Sequence, residues 1–166
     1  MTSLSRPLPR SLSPTRVLTR SLVAALLASL LLGGPAAFAQ ETKLTGLKGE
    51  RLSDSDLVRG AIVVVVWASW SPRSRDIVER VRLLTGRWGQ RARVVTVDFE
   101  EDRPTVEAFL AGKALGVPVF LDTEGAFSKK YAITSLPGLL VLKEGKSVYH
   151  GKLPDDPDRL IADLLH

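Results

Sequence analysis

Cysteine is absent from all 166 residues. That absence excludes disulfide staples, thiolate nucleophiles, sulfur-ligated metals and an acylated N-terminal cysteine. Histidine is nearly absent too, with only His150 and His166. A histidine zinc cluster or a serine–histidine nucleophilic pair therefore has little to be built from, and no G-x-S-x-G elbow is present. Aromatic residues are scarce at 6%, and no basic stripe with interleaved aromatics exists to track phosphates. The net charge of +5 is misleading. Arg6, Arg10, Arg16 and Arg20 are the only charges in the first 39 residues, which leaves 19 basic against 18 acidic side chains beyond them. Nucleic acid is not expected as a partner. No low-complexity tract or internal repeat occurs, and 45% hydrophobic with 25% charged residues suits one globular domain.

Residues 1–39 have the order of a secretory signal. Four arginines lead into the apolar run Leu22 to Leu32, Gly33-Gly34-Pro35 breaks a helix, and Ala37-Phe38-Ala39 gives a small-x-small cleavage pattern. The run is shorter than the roughly 20 residues that span a bilayer. The arginines are not adjacent, so a twin-arginine signal is not supported. We expect cleavage before Gln40, a domain over 40–166, and export to the periplasm or another extracytoplasmic space without stable membrane insertion. An uncleaved anchor is the competing reading.

Beyond residue 40 the elements alternate. The segment 44–60 carries a Lys48-Gly49 turn and a cap-like run from Ser53 to Asp56. The run from Ala61 to Trp67 is β-branched and apolar on both sides, which predicts a central strand buried on both faces. Ile77, Val81, Leu84 and Trp88 share a helical face, so one helix is expected from Ser71 to Trp88. A second strand is expected over 94–99, a helix from Pro104, a short strand over 117–121 and a short helix over 125–131. Residues 136–142 form a third core strand, turned at 144–146 into 147–151, and a last helix starts near Pro154 or Pro157. The order β-α-β-α followed by a hairpin and helix predicts an α/β domain with a mixed sheet flanked by helices.

The segment Trp67-Ala-Ser-Trp70-Ser71-Pro-Arg-Ser74-Arg75 resembles the strand, WCxxC motif and helix of the thioredoxin superfamily, in its exported TlpA/ResA-like thiol–disulfide oxidoreductase branch. The likeness extends over about residues 44–166. It includes Leu47-Lys-Gly-Glu-Arg-Leu52, Pro118-Val-Phe-Leu-Asp122 and Tyr131-Ala-Ile-Thr-Ser-Leu136-Pro137. The resemblance implies a thioredoxin-like fold and a cis proline at Pro137 facing the motif. It does not carry over the activity. Exchange needs a low-pKa thiolate and a resolving thiol, and both positions are serine, Ser71 and Ser74. Val65 stands where many thioredoxins place a buried acid.

Each candidate residue has a plainer reading beside the functional one. Ser71 before Pro72 suits a helix start, its hydroxyl accepting an orphan amide, and Ser74 reads as a tolerated polar residue one turn on. Trp67 reads as core; Trp70 is either packing or a contact surface. Arg73 and Arg75 read as a solvated pair, or as a surface for acidic ligands. Asp98, Glu100, Glu101 and Asp102 read as strand-end and helix-start acids, with no ligand spacing that supports a cation. The expected function is a redox-inactive, exported protein without cofactor or metal. It would bind a protein or peptide partner of the cell envelope through Trp70, Ser71, Leu136 and Pro137. Two alternatives stand: a TlpA-like reductase whose cysteines were replaced by serine in the laboratory, and a structural part of a larger complex.

Overall fold

The computed structural model describes residues 41–166, so the signal and its cleavage site lie outside the described residues. Seven strands form one sheet: β1 (Lys43–Gly46), β2 (Arg51–Ser53), β3 (Ala61–Trp67), β4 (Arg93–Phe99), β5 (Val119–Asp122), β6 (Gly138–Lys143) and β7 (Lys146–Lys152). Their spatial order is β2-β1-β5-β4-β3-β6-β7. The helices are α1 (Asp54–Leu57), α2 (Ile77–Trp88), α3 (Arg103–Leu110), α4 (Ala126–Lys130) and α5 (Asp158–Leu165), and Pro72–Ser74 form a single 3-10 turn.

The β-branched run becomes the spine of the sheet. β3 lies between parallel β4 and antiparallel β6, and every residue from Ile62 to Trp67 is fully buried. Alternation divides the strand between two cores. Val63, Val65 and Trp67 join Ile77, Val81, Leu84, Trp88, Val106 and Ile161, which are contributed by α2, α3 and α5. Ile62, Val64 and Val66 join Leu57 of α1 and Phe127 of α4 on the opposite face. Each such side chain contributes about 1.5–3 kcal/mol by burial. This double core fixes the C-terminal end of β3, where the motif begins.

The structure departs from the expected elements in two places. First, 44–60 is more than a turn, because β1 and β2 add an antiparallel edge through β5. Strands of four and three residues carry too little alternation to stand out. Second, the helix expected over 71–88 is interrupted. The chain makes the 3-10 turn, passes Arg75 and Asp76, and only then enters α2; Asp76 has φ −98° and ψ 13° and caps nothing. Elsewhere the capping chemistry agrees with the residues: Asp102 accepts the Thr105 amide at 3.0 Å to start α3. At Ser53, Asp56 accepts the backbone amide at 2.8 Å.

Candidate functional site

The end of β3 leads through buried Ala68 and half-buried Ser69 to the exposed Trp70 and the buried Ser71. A tight turn forms there: the Ser71 amide donates to Ala68 O at 3.2 Å, and the Ser74 amide donates to Ser71 O at 2.9 Å. The expected side-chain cap at Ser71 is not made. Pro72 has no amide to offer, and the Ser71 backbone carbonyl already takes the Ser74 amide. Ser71 is therefore a turn residue whose own backbone closes the turn. Ser74 is not a surface hydroxyl: it is fully buried and its Oγ has no partner. Such a group costs about 1–3 kcal/mol, the mark of a position shaped for a less polar side chain.

A cleft of about 440 Å³ opens beside this turn. Trp70, Ser71, Pro72 and Arg73 form one wall, Phe99 contributes from the end of β4, and Ile133, Thr134, Ser135 and Leu136 form the opposite wall. Trp70 is 60% exposed, while Trp67 is fully buried and stacks obliquely on Phe109 at 5.2 Å. Three of the four residues expected to bind, Trp70, Ser71 and Leu136, thus meet at one cleft. Pro137 does not line it: the residue is buried, and its carbonyl accepts the Leu153 amide at 2.9 Å. The Leu136–Pro137 peptide bond is cis. Phe99, Ile133, Thr134 and Ser135 are lining residues that the sequence alone did not single out. They come from segments far from the motif: Phe99 meets it once β4 lies beside β3, and residues 133–135 once β6 does.

The four acids near the end of β4 separate into different roles. Asp102 caps α3. Glu100 is exposed, at the unusual φ of +56°. Glu101 is buried, and its carboxylate accepts both the amide and the hydroxyl of Ser69, each at 2.5 Å. Asp98 is fully buried beside Trp67 in the β3–β4 register, and neither carboxylate oxygen receives a donor. Its pKa is pushed up to about 9 by burial first, then by the hydrogen bond with Glu101 and the charges of Glu101 and Asp122. Burial and the neighbouring acids thus favour the protonated form of Asp98. Among the described residues no group of three or more His, Asp or Glu side chains is placed to hold a metal ion. Val65 is apolar, buried and paired with Thr96, so no acid stands at that position. Arg73 and Arg75 are exposed and join no ion pair among the described residues.

The AhpC/TSA family profile matches residues 35–150. Sporulation thiol-disulfide oxidoreductase A of Bacillus subtilis is 25% identical over 123 residues, covering 72% of this chain and 72% of that protein. Among solved structures, the exposed lipoprotein thioredoxin of Streptococcus pneumoniae superposes with a TM-score of 0.65 at 22% identity, over 75% of this chain and 97% of that one. A secreted disulfide oxidoreductase of Mycobacterium tuberculosis gives 0.62 at 16% identity, over 78% and 98%. These superpositions establish a thioredoxin-like fold. The motif chemistry of such proteins needs thiols, and this sequence has none.

Proposed function

We propose, from the premise that this chain belongs to the AhpC/TSA family and folds like a thioredoxin, that it is a redox-inactive binding protein. It holds an extended segment of a partner protein in the cleft by noncovalent contact alone. Serine at 71 and 74 removes both the attacking and the resolving thiol, so neither a mixed disulfide nor its resolution is available. The observation that carries the reading is Trp70: a large aromatic ring left 60% exposed on the rim of an otherwise largely apolar cleft. Leu136 lies in a bend just ahead of β6, with no turn or loop hydrogen bond engaging its backbone among the described residues. An incoming extended chain can pair there, main-chain bonds giving affinity and the walls selecting side chains. Among the described residues Arg73 is the only charged one of the lining, which favours a segment carrying an acidic side chain next to apolar ones.

Export completes the reading. The first 39 residues carry the signal-like pattern, and two of the similar proteins are described as secreted or exposed. No helix among the described residues is long and apolar enough to cross a membrane. The test is recovery of a partner from an envelope extract, followed by titration against purified variants. Trp70→Ala is expected to weaken binding by about 1–2 kcal/mol, roughly tenfold. Arg73→Glu is expected to weaken it less, and to a degree that falls with added salt. Equal affinity for wild type and both variants would discard the cleft in favour of a structural role within a complex.

A further inference from the structure

The rim of the cleft is tied down from below by a residue with no place in disulfide chemistry here. β4 leaves the sheet through Glu100, whose φ of +56° is a conformation that favours glycine. That step separates Asp98 in the core from Glu101, which turns back toward the end of β3. Glu101 Oε2 accepts the Ser69 amide and Oε1 accepts the Ser69 hydroxyl, across 32 residues of sequence. Ser69 immediately precedes Trp70. A carboxylate gripping both donors of one residue fixes the backbone from which the tryptophan projects. Behind it, Asp98 has no protein donor to either oxygen. Ionised, it would be an unpaired buried charge; protonated, it is a donor with Glu101 as its acceptor. The other titratable group facing Asp98 is Asp122 on β5, also acidic, while β3 presents Trp67. Burial, Glu101 and Asp122 each favour its proton.

We propose that Asp98 and Glu101 form a single clasp, in which a protonated Asp98 donates to Glu101 and Glu101 grips Ser69, so positioning the Trp70 rim of the cleft. Glu101 and Asp98 are positioning residues: neither lines the cleft. The clasp stands on the paired Ser69–Glu101 hydrogen bonds and on the fully buried, unpartnered Asp98 carboxyl behind them, and its consequence for a ligand rests on the binding role proposed above.

Amide hydrogen exchange on the purified chain, read residue by residue and corrected for intrinsic rate, tests the clasp without any ligand. Glu101→Gln should lower protection of the Ser69 amide by about tenfold or more, the scale of one lost charge-assisted hydrogen bond. The amides of Val64 and Val95 in the core should be unchanged. Ser69→Ala removes only the hydroxyl bond and should give a smaller loss in the same direction; it decides the matter if Glu101→Gln folds poorly. Asp98→Asn supplies an amide donor that cannot titrate. It should keep Ser69 protected at neutral pH and abolish the loss of protection expected of wild type above about pH 9. Unchanged Ser69 protection in the Glu101 and Ser69 variants overturns the clasp, as does a wild-type pH transition persisting in Asp98→Asn. If Ser69 loosens in Glu101→Gln while affinity for a recovered partner stays fixed, the clasp stands and the binding role of the cleft falls.

Discussion

Asp98→Asn should make the protein more stable at neutral pH, by about 4 kcal/mol at pH 7, because it removes a proton that folding must take up. The sign follows from the folded-state pKa, which burial, Glu101 and Asp122 raise from 3.8 to about 9. Between those values the folded state holds a proton that the unfolded state has released. Stability contributed by this group is thus full below about pH 4 and declines as pH rises, by roughly 1.4 kcal/mol per unit, until about pH 9. Asparagine has no such dependence and still donates toward Glu101. Denaturant titrations of both proteins at several pH values measure the difference directly. Wild type should show the falling slope and Asp98→Asn should lack it, with the two curves diverging as pH increases. Parallel curves would mean that Asp98 is ionised in the fold, with a cation or water network satisfying it.

The second large effect is a gain of chemistry. Ser71→Cys combined with Ser74→Cys should close an intramolecular disulfide under mild oxidation, seen as the loss of two hydrogens by intact mass. Positions 71 and 74 already lie in one 3-10 turn, joined by the Ser74 amide to the Ser71 carbonyl at 2.9 Å. A turn of that kind brings the two Cα atoms within about 7 Å, the range a disulfide bridges. Ser74 is fully buried with an unpartnered hydroxyl, so the larger and less polar sulfur replaces an unsatisfied group there. Ser71 is 5% exposed and is the position a partner sulfur can approach. Arg73 and Arg75 favour a thiolate at 71. Reductase activity should nonetheless be weak: Val65 supplies no proton acceptor beside the turn, and Asp98 holds its proton. Failure of the double variant to oxidise would show that the turn no longer has redox-motif geometry.

Much of this was legible in the sequence, and the reasons differ by element. The run from Ala61 to Trp67 announces a central strand because burial on both faces leaves nothing polar in it. α3 is marked by Asp102 and Pro104, and α2 by the spacing of Ile77, Val81, Leu84 and Trp88. β1 and β2 escape notice because they are short edge pieces whose pairing with β5 is a tertiary fact. The break between Ser74 and Ile77 escapes because a helical periodicity that begins at Ile77 does not say where the helix starts. At the site, Trp70, Ser71 and Leu136 follow from the resemblance to redox proteins, while Phe99 and Ile133 reach the cleft only through sheet order. Glu101 is the instructive case. Beside Glu100 and Asp102 it reads as one of several strand-end acids, and only the fold brings it to Ser69. No local pattern encodes a partner 32 residues away.

The central claim is that a thioredoxin cleft is in use here without thiol exchange. It is tested most directly by titrating isotope-labelled wild type with a recovered partner, with and without excess reductant, and following backbone and tryptophan indole resonances. The account predicts saturable, reversible shifts centred on Trp70, Ser71, Phe99 and residues 133–136, identical in both conditions and abolished by dilution. Shifts confined to the β2 or β7 edge, with the Trp70 indole unmoved, would contradict it.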